Sequence, residues 1–503
     1  MPLPLNVSEL NQLMCEERWN RTGRLCGRCL PGHSPLAYSY DIRCVKCPEG
    51  NRNIWKYILV AFGPLTVFYF LIVFLKINVT SSYLHGYLIY SQIVSARTTQ
   101  RKTVLFEQNH PEWKIPIQMI AVVYSIWNLD FFRGLYPDIC LDVSTLTVLA
   151  LDYAVAIYPL LLTVIFYILI ELHARNFRLV VILWRPFRRV FTLVRRNWDS
   201  RTTVIDAYAT FFILSYNKFL WVSGDLLTPI RAHSINNESD KWVLYTDASV
   251  EYFGYEHIPY AILAMVVCLL VTIIPTLFLI FYQIKWFQKL LHCLKIRSQL
   301  LRALMDSFQS CYKDGREIGT RDYRWFAALP LIGRIGLLAT YATNLDDIAL
   351  PYLVMGIVFI IVLTVIIQPY KSELSKYTKI DIIFWAFLAS FLGLDEAVSD
   401  PNLKPVTLVR VTTVIRVVVA VIPFLCMCYV AGYWIFTRMR KMKTFITRVK
   451  AWRRGYMNME NDFEASLPDR IVNPENYEGE KLHDPISSLT ENGSYQDDTN
   501  NTY

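Results

Sequence analysis

The chain has 503 residues, 54% of them hydrophobic and 18% charged, with a formal net charge of +9. Ordinary soluble domains carry about 25% charged residues, and here the apolar excess is gathered into long runs rather than spread. Arginine and lysine cluster beside those runs, which marks the cytoplasmic loops of membrane proteins and argues against nucleic acid as the partner of the basic surplus.

Residues 1–52 read as a small extracellular cysteine-rich module. Met1–Met14 lacks the basic start and apolar core of a cleavable signal peptide. Such a module is either carried outward by the first span or is the remnant of a longer protein. The spacing Cys26-x2-Cys29-x14-Cys44-x2-Cys47 would form a zinc ribbon in a reducing compartment. On the oxidising side of a membrane the same four, with Cys15 and Cys140, become disulfide candidates. Sequons at Asn6 and Asn20 favour that side. Neither a bound metal nor a cofactor is expected.

The polytopic region, 53–436, is all-α and accommodates about nine membrane spans, at residues 54–75, 115–136, 149–170, 205–228, 259–283, 326–343, 350–367, 380–394 and 406–436. With residue 1 outside, every basic loop becomes cytoplasmic and every acidic loop external. Ile77–Ala96 is long enough to cross but polar, and crossing would put the arginine-rich loops on the wrong face. It is therefore placed in the interface or as a re-entrant segment. The second span holds Asp130 and Arg133 in its outer half. Between Glu171 and Thr203 eight arginines face two acids, and between Ile284 and Trp325 nine basic residues face four acids. Trp184–Trp198 and Lys285–Leu304 interleave these charges with apolar residues, as helices lying on an anionic inner leaflet do. The loop Pro229–Ile258 is acidic and contains the sequon at Asn237, the third glycosylation candidate.

Charges inside hydrocarbon are costly and therefore point to function. In the fourth span Lys218 and Asp225 lie seven apart and share a helical face. Arg334 sits between Gly333 and Gly336 in the sixth. These three and Asp130 are the transport-path candidates, lining a route for an ion or a lipid headgroup. The competing expectation is structural ion pairing and snorkelling, favoured for Asp206, Asp381 and Arg410, which sit near span ends.

The tail, 437–503, opens with eight basic residues and no acid up to Gly455, then turns acidic and polar, a composition that predicts disorder. Within it Tyr456-Met-Asn-Met459 fits a tyrosine-based endocytic adaptor signal or, once phosphorylated, an SH2 ligand.

Arg21–Ser34 (RTGRLCGRCLPGHS) resembles the last cysteine-rich module of large surface proteins of simple animals. Trp127–Asp130 (WNLD), Phe212–Leu220 (FILSYNKFL), Leu244–Asp247 (LYTD) and Glu256–Pro259 (EHIP) resemble the membrane domain that follows it there. That domain is similar to the carboxy-terminal domain of fungal TRP-like proteins, the flavin-carrier group. The resemblance covers roughly residues 20–395 and implies a polytopic region behind an extracellular portion, without catalytic residues.

A glycine-rich phosphate loop, His-Glu-x-x-His and Gly-x-Ser-x-Gly are all missing from the sequence in a usable context, so no enzyme is expected. The expected function is that of a multi-pass, TRP-like channel or transporter at the plasma membrane, moving an ion or lipid-like solute. The alternative is a cell-surface receptor or adhesion protein that signals through its tail. Nine spans argue against a seven-helix receptor.

Overall fold

Away from water only a helix satisfies the backbone polar groups of a single crossing segment internally, and the long apolar runs are helical in the computed structural model. It describes residues 20–22, 28–30, 32–35, 44–46, 54–75, 77–78, 82–98, 124–131, 139, 141, 143–178, 180, 200–232, 241–293, 299–315, 321–342, 346–371 and 375–399, and 411, 414–415, 417–426, 428–429 and 432. The chain divides into two units, Met1–Cys428 and Tyr429–Tyr503, and the helices and strands described lie in the first.

Near the amino terminus, β1 (Arg21–Thr22) pairs antiparallel with β2 (Arg28–Cys29), and β3 (His33–Pro35) with β4 (Cys44–Lys46). A disulfide joins Cys29 to Cys44. It consumes two of the four thiolates a zinc ribbon would require. Closing a loop of about 15 residues stabilises by about 3 kcal/mol in the chain-entropy view. Asn20, in a left-handed conformation, donates its side-chain amide to the Cys44 carbonyl at 3.1 Å.

The helices follow as α1 (Ile54–Leu75), α2 (Ser82–Thr98), α3 (Thr145–Ala174), α4 (Ser200–Leu227), α5 (Ile258–Phe281), α6 (Lys285–Cys293), α7 (Gln299–Gln309), α8 (Leu329–Ala342), α9 (Asp346–Ile367), α10 (Ser375–Ser399) and α11 (Val417–Cys426). A short antiparallel hairpin of β5 (Pro229–Ala232) and β6 (Lys241–Leu244) lies between α4 and α5. Among the described residues three helices, α1, α3 and α5, are long and apolar enough to cross a membrane; Tyr352–Ile367 and α11 are apolar but shorter. Their outer faces carry bare apolar side chains, among them Leu59 at 73% and Ile366 at 75% exposure. Water does not tolerate an apolar surface of that extent, whereas hydrocarbon does.

The bundle is organised around α4. Every residue from Thr210 to Leu220 is buried, so this helix has no outer face along its middle. Helices α3, α5, α7 and α8 pack against it. A second group, α2 with α9, α10 and α11, shares a core of Tyr87, Tyr90, Tyr124, Phe384, Trp385 and Leu388.

Two expectations are corrected here. His85–Ser95 of α2 is buried without interruption, because the helix packs against α10 and a 3-10 turn at Ile126–Asn128. A helix lying in the interface would keep a polar face on water, so the polar residues of α2 turn inward to protein partners. The expected span 115–136 is not a continuous helix: its described part breaks after the 3-10 turn. The amide of Asp130 returns to the Ser125 carbonyl at 3.0 Å and that of Leu129 to Ile126 at 3.1 Å. This is the hydrogen-bond pattern of a Schellman stop, with the buried Leu129 at φ 61°, where glycine is the usual occupant.

Candidate buried charge centres

Four consecutive polar residues at the middle of α4, Ser215 to Lys218, each reach a different neighbour, because successive side chains point about 100° apart around a helix. Ser215 donates to the Ala156 carbonyl at 2.8 Å, three residues before Pro159 in α3. The Tyr216 hydroxyl meets the Thr276 hydroxyl at 2.7 Å, where α5 passes through a π-turn at Cys268–Ile273. Asn217 donates to the Asn128 side-chain oxygen at 2.8 Å. Lys218 pairs with two aspartates.

The Lys218 ammonium contacts the Asp130 carboxylate and lies 3.5 Å from that of Asp152 on α3. All three side chains are nearly inaccessible. Alone, a lysine in hydrocarbon costs about 2.5–3.5 kcal/mol. One carboxylate at 3.5 Å offsets about 4–5 kcal/mol at an effective dielectric of about 20. The broken helix is what delivers Asp130: the left-handed turn at Leu129 ends the 3-10 segment and directs the next residue inward. A left-handed non-glycine residue costs about 1–2 kcal/mol. Strain of this kind recurs beside functional groups.

An amide chain adjoins the triad. Asn128 donates to the Gln92 backbone carbonyl at 3.2 Å, and the Gln92 side chain donates to the carbonyls of Trp127 at 2.7 Å and Leu214 at 3.3 Å. The Gln92 side-chain oxygen is buried with no partner among the described residues. Thus the polar residues that make α2 a poor membrane span are the ones joining it to this centre.

Arg334 is the second centre. It is 1% exposed and the largest fully buried side chain among the described residues. None of its three side-chain nitrogens has a hydrogen-bond partner there. Its guanidinium lies 6.0 Å from the centre of the Tyr216 ring, and His85 is near enough to feel its charge. A buried charge without a partner costs about 3–5 kcal/mol, which a ring face at that distance recovers only in part.

No family, curated protein or solved structure matches this chain. The site is therefore read from its own geometry.

A third buried group is Asp381 on α10. One carboxylate oxygen accepts from the Tyr370 hydroxyl at 2.7 Å, and the other has no partner among the described residues. It lies against Gly86, whose missing side chain leaves the room that the carboxylate occupies. Tyr370 in turn stacks on Tyr312 at 5.2 Å, where residues 311–313 lie alongside 369–371. Asp381 was expected to snorkel. It is instead 2% exposed, because α2 and the Tyr312–Tyr370 pair cover it.

Among the sequence candidates, the structure brings Lys218 and Asp130 together and places Arg334 of α8 beside Tyr216, which is two residues from Lys218 along α4. Asp225 is not part of this triad. Lys218 forms ion pairs with Asp130 and Asp152, on other elements, whereas seven helical residues separate Asp225 from it by about 10 Å of rise. The Asp225 carbonyl accepts from Thr246 at 3.3 Å, at the hairpin end of α4. Asp152, Asn128 and Asn217 escaped the sequence reading. Asp152 carried a usable signal, as the one acid within the apolar run Leu149–Ile170.

Asp206 accepts from Ser307 on α7 at 2.9 Å. Phe308 of α7 packs edge-on to Phe212 at 5.7 Å, and Leu301 and Leu304 of the same helix pack against the core, so the end of Lys285–Leu304 covers the core. His257 accepts from the Phe253 amide at 3.0 Å and meets the Leu226 carbonyl at 2.8 Å, fully buried at the base of the hairpin loop rather than interfacial. Cys15, Cys26, Cys47, Cys140, Asn6, Asn237, Arg133, Arg410, Trp184–Trp198, Tyr456 and Met459 lie outside the described residues.

Proposed function

We propose that this chain is a multi-pass membrane protein of the TRP-like, flavin-carrier kind that moves an ion or lipid-like solute through its helical bundle. The single observation that carries the reading is the buried Lys218–Asp130–Asp152 triad on the helix around which the bundle packs. Charges placed this deep are costly to keep unless they serve a route or a coupling step, and a strained turn and a π-turn converge on the same helix.

Several membrane crossings, with an extracellular amino-terminal module and a cytoplasmic tail at the plasma membrane, fit the charge alternation of the loops. The described part of α6 supports the cytoplasmic assignment of 284–325. Trp286 is 69% exposed beside Lys285 and Lys289, the arrangement with which a helix rests on anionic headgroups.

Chemical rescue tests the route. Lys218→Cys removes the ammonium, and 2-aminoethyl methanethiosulfonate supplied from water forms a disulfide there and releases methanesulfinate, restoring a positive charge at the end of the side chain. The expected result is modification of folded Lys218→Cys above the level of the native cysteines, with recovery of flux. A position 218 that stays unmodified in folded protein sinks the reading, because the triad is then sealed from any solute path.

A further inference from the structure

We infer that Arg334 is the docking point for an oxyanion of the phosphate class, held by the two-pronged face of its guanidinium. The inference goes beyond the transport reading and does not depend on it, since its readout is binding and not movement.

Three observations carry it. First, the guanidinium is charged at any physiological pH and offers five donors in a fixed plane, yet Nε and both terminal nitrogens have no acceptor among the described residues. Lys218, equally deep, has two carboxylates. The contrast sets Arg334 apart from a structural ion pair. Second, two groups in its neighbourhood are of the wrong kind to neutralise it: the face of Tyr216, 6.0 Å away, and the ring of His85. Asp381, the other core carboxylate with an unmet oxygen, is committed to Tyr370 and forms no ion pair with Arg334. Third, α8 is not tightly packed beside it: a side chain built on Gly333 would meet no atom within 4 Å.

A planar fork of donors matches two oxygens of a phosphate or carboxylate bidentately, and such charge-assisted pairs are about twice as strong as neutral hydrogen bonds. Phosphate, with more acceptor oxygens and more charge, meets more of the five donors. Two sources supply that chemistry, a phospholipid headgroup and free phosphate.

The experiment uses the full chain in maltoside micelles, which carry no phosphate, and reads the thermal midpoint and the binding isotherm. The additions are dioleoyl phosphatidate in the micelle or inorganic phosphate in the buffer. The expected result is a rise in midpoint with at least one of them. Phosphatidate alone identifies the lipid source, and a response to both identifies a site open to water. Arg334→Met, close in length and uncharged, should fold with an equal or higher midpoint in the absence of ligand and bind about ten- to a hundredfold more weakly, the loss expected for one or two charge-assisted contacts. Arg334→Lys keeps the charge but loses the fork, and should fall between the two. No response of the wild type to either addition overturns the inference. So does equal binding by wild type and Arg334→Met. If Arg334→Met fails to fold, equal binding by wild type and Arg334→Lys overturns it.

Discussion

Replacing Lys218 by methionine removes one positive charge from between two buried carboxylates and keeps most of the side-chain volume. Breaking a buried pair by removing one partner costs about 3–5 kcal/mol, because the other charge stays buried. Asp130→Asn is milder, about 1.5–3 kcal/mol for one charged hydrogen bond, since Lys218 keeps Asp152 at 3.5 Å. The two losses overlap, because both remove the same contact. A double-mutant cycle measured by unfolding in graded dodecyl sulfate should therefore give a coupling of about 1.5–3 kcal/mol between positions 218 and 130. The same cycle between 218 and 225 should close to within about 0.5 kcal/mol, because about 10 Å of helix rise separates the two residues. Coupling to 225 as large as coupling to 130 would refute the triad and restore a pair along one face of α4.

Gly86→Ala pushes a methyl group into the Asp381 carboxylate and to 3.3 Å from its backbone, so it should destabilise by about 1–3 kcal/mol; Gly86→Ala with Asp381→Ala, which makes room, should recover part of that in the same unfolding assay. Burial pushes the Cys311 thiol up to about 12, whereas Cys293 is exposed. A maleimide at pH 7 to 8 should therefore modify Cys293 and leave Cys311 untouched until the chain is denatured, as read by mass spectrometry of the peptides. Glycosidase treatment should shift the expressed protein on a gel, and the shift should shrink in Asn237→Gln. An epitope at Tyr503 should be reached by antibody only after cells are permeabilised.

Periodicity and composition made the long apolar helices legible, because α1, α3 and α5 carry little else. They misjudged segments whose character depends on neighbours. The polar residues of α2 look unsuited to any buried place until Asn128, Trp127 and Leu214 are set against Gln92. The stop before Asp130 was illegible because a leucine occupies the left-handed position where glycine would announce a turn. Lys218 and Arg334 could be singled out as charges within apolar runs, but not their fates. One is paired by residues 88 and 66 positions away in the chain, and the other is left without an acceptor among the described residues. Helical spacing proposed Asp225 as a partner because it sees one helix at a time, and tertiary contacts chose Asp130 and Asp152 instead.

Flux through purified protein shows whether the bundle moves a solute past the Lys218 triad. The full chain is reconstituted into phosphatidylcholine vesicles, and ion current and the transbilayer movement of a fluorescent phospholipid are recorded beside Lys218→Met and Asp225→Asn proteins of verified folding. The wild type should support at least one of the two movements, Lys218→Met should abolish or re-select it, and Asp225→Asn should leave it intact. Wild-type vesicles that pass neither ion nor lipid above empty ones, or a flux indifferent to Lys218, would contradict the transport reading.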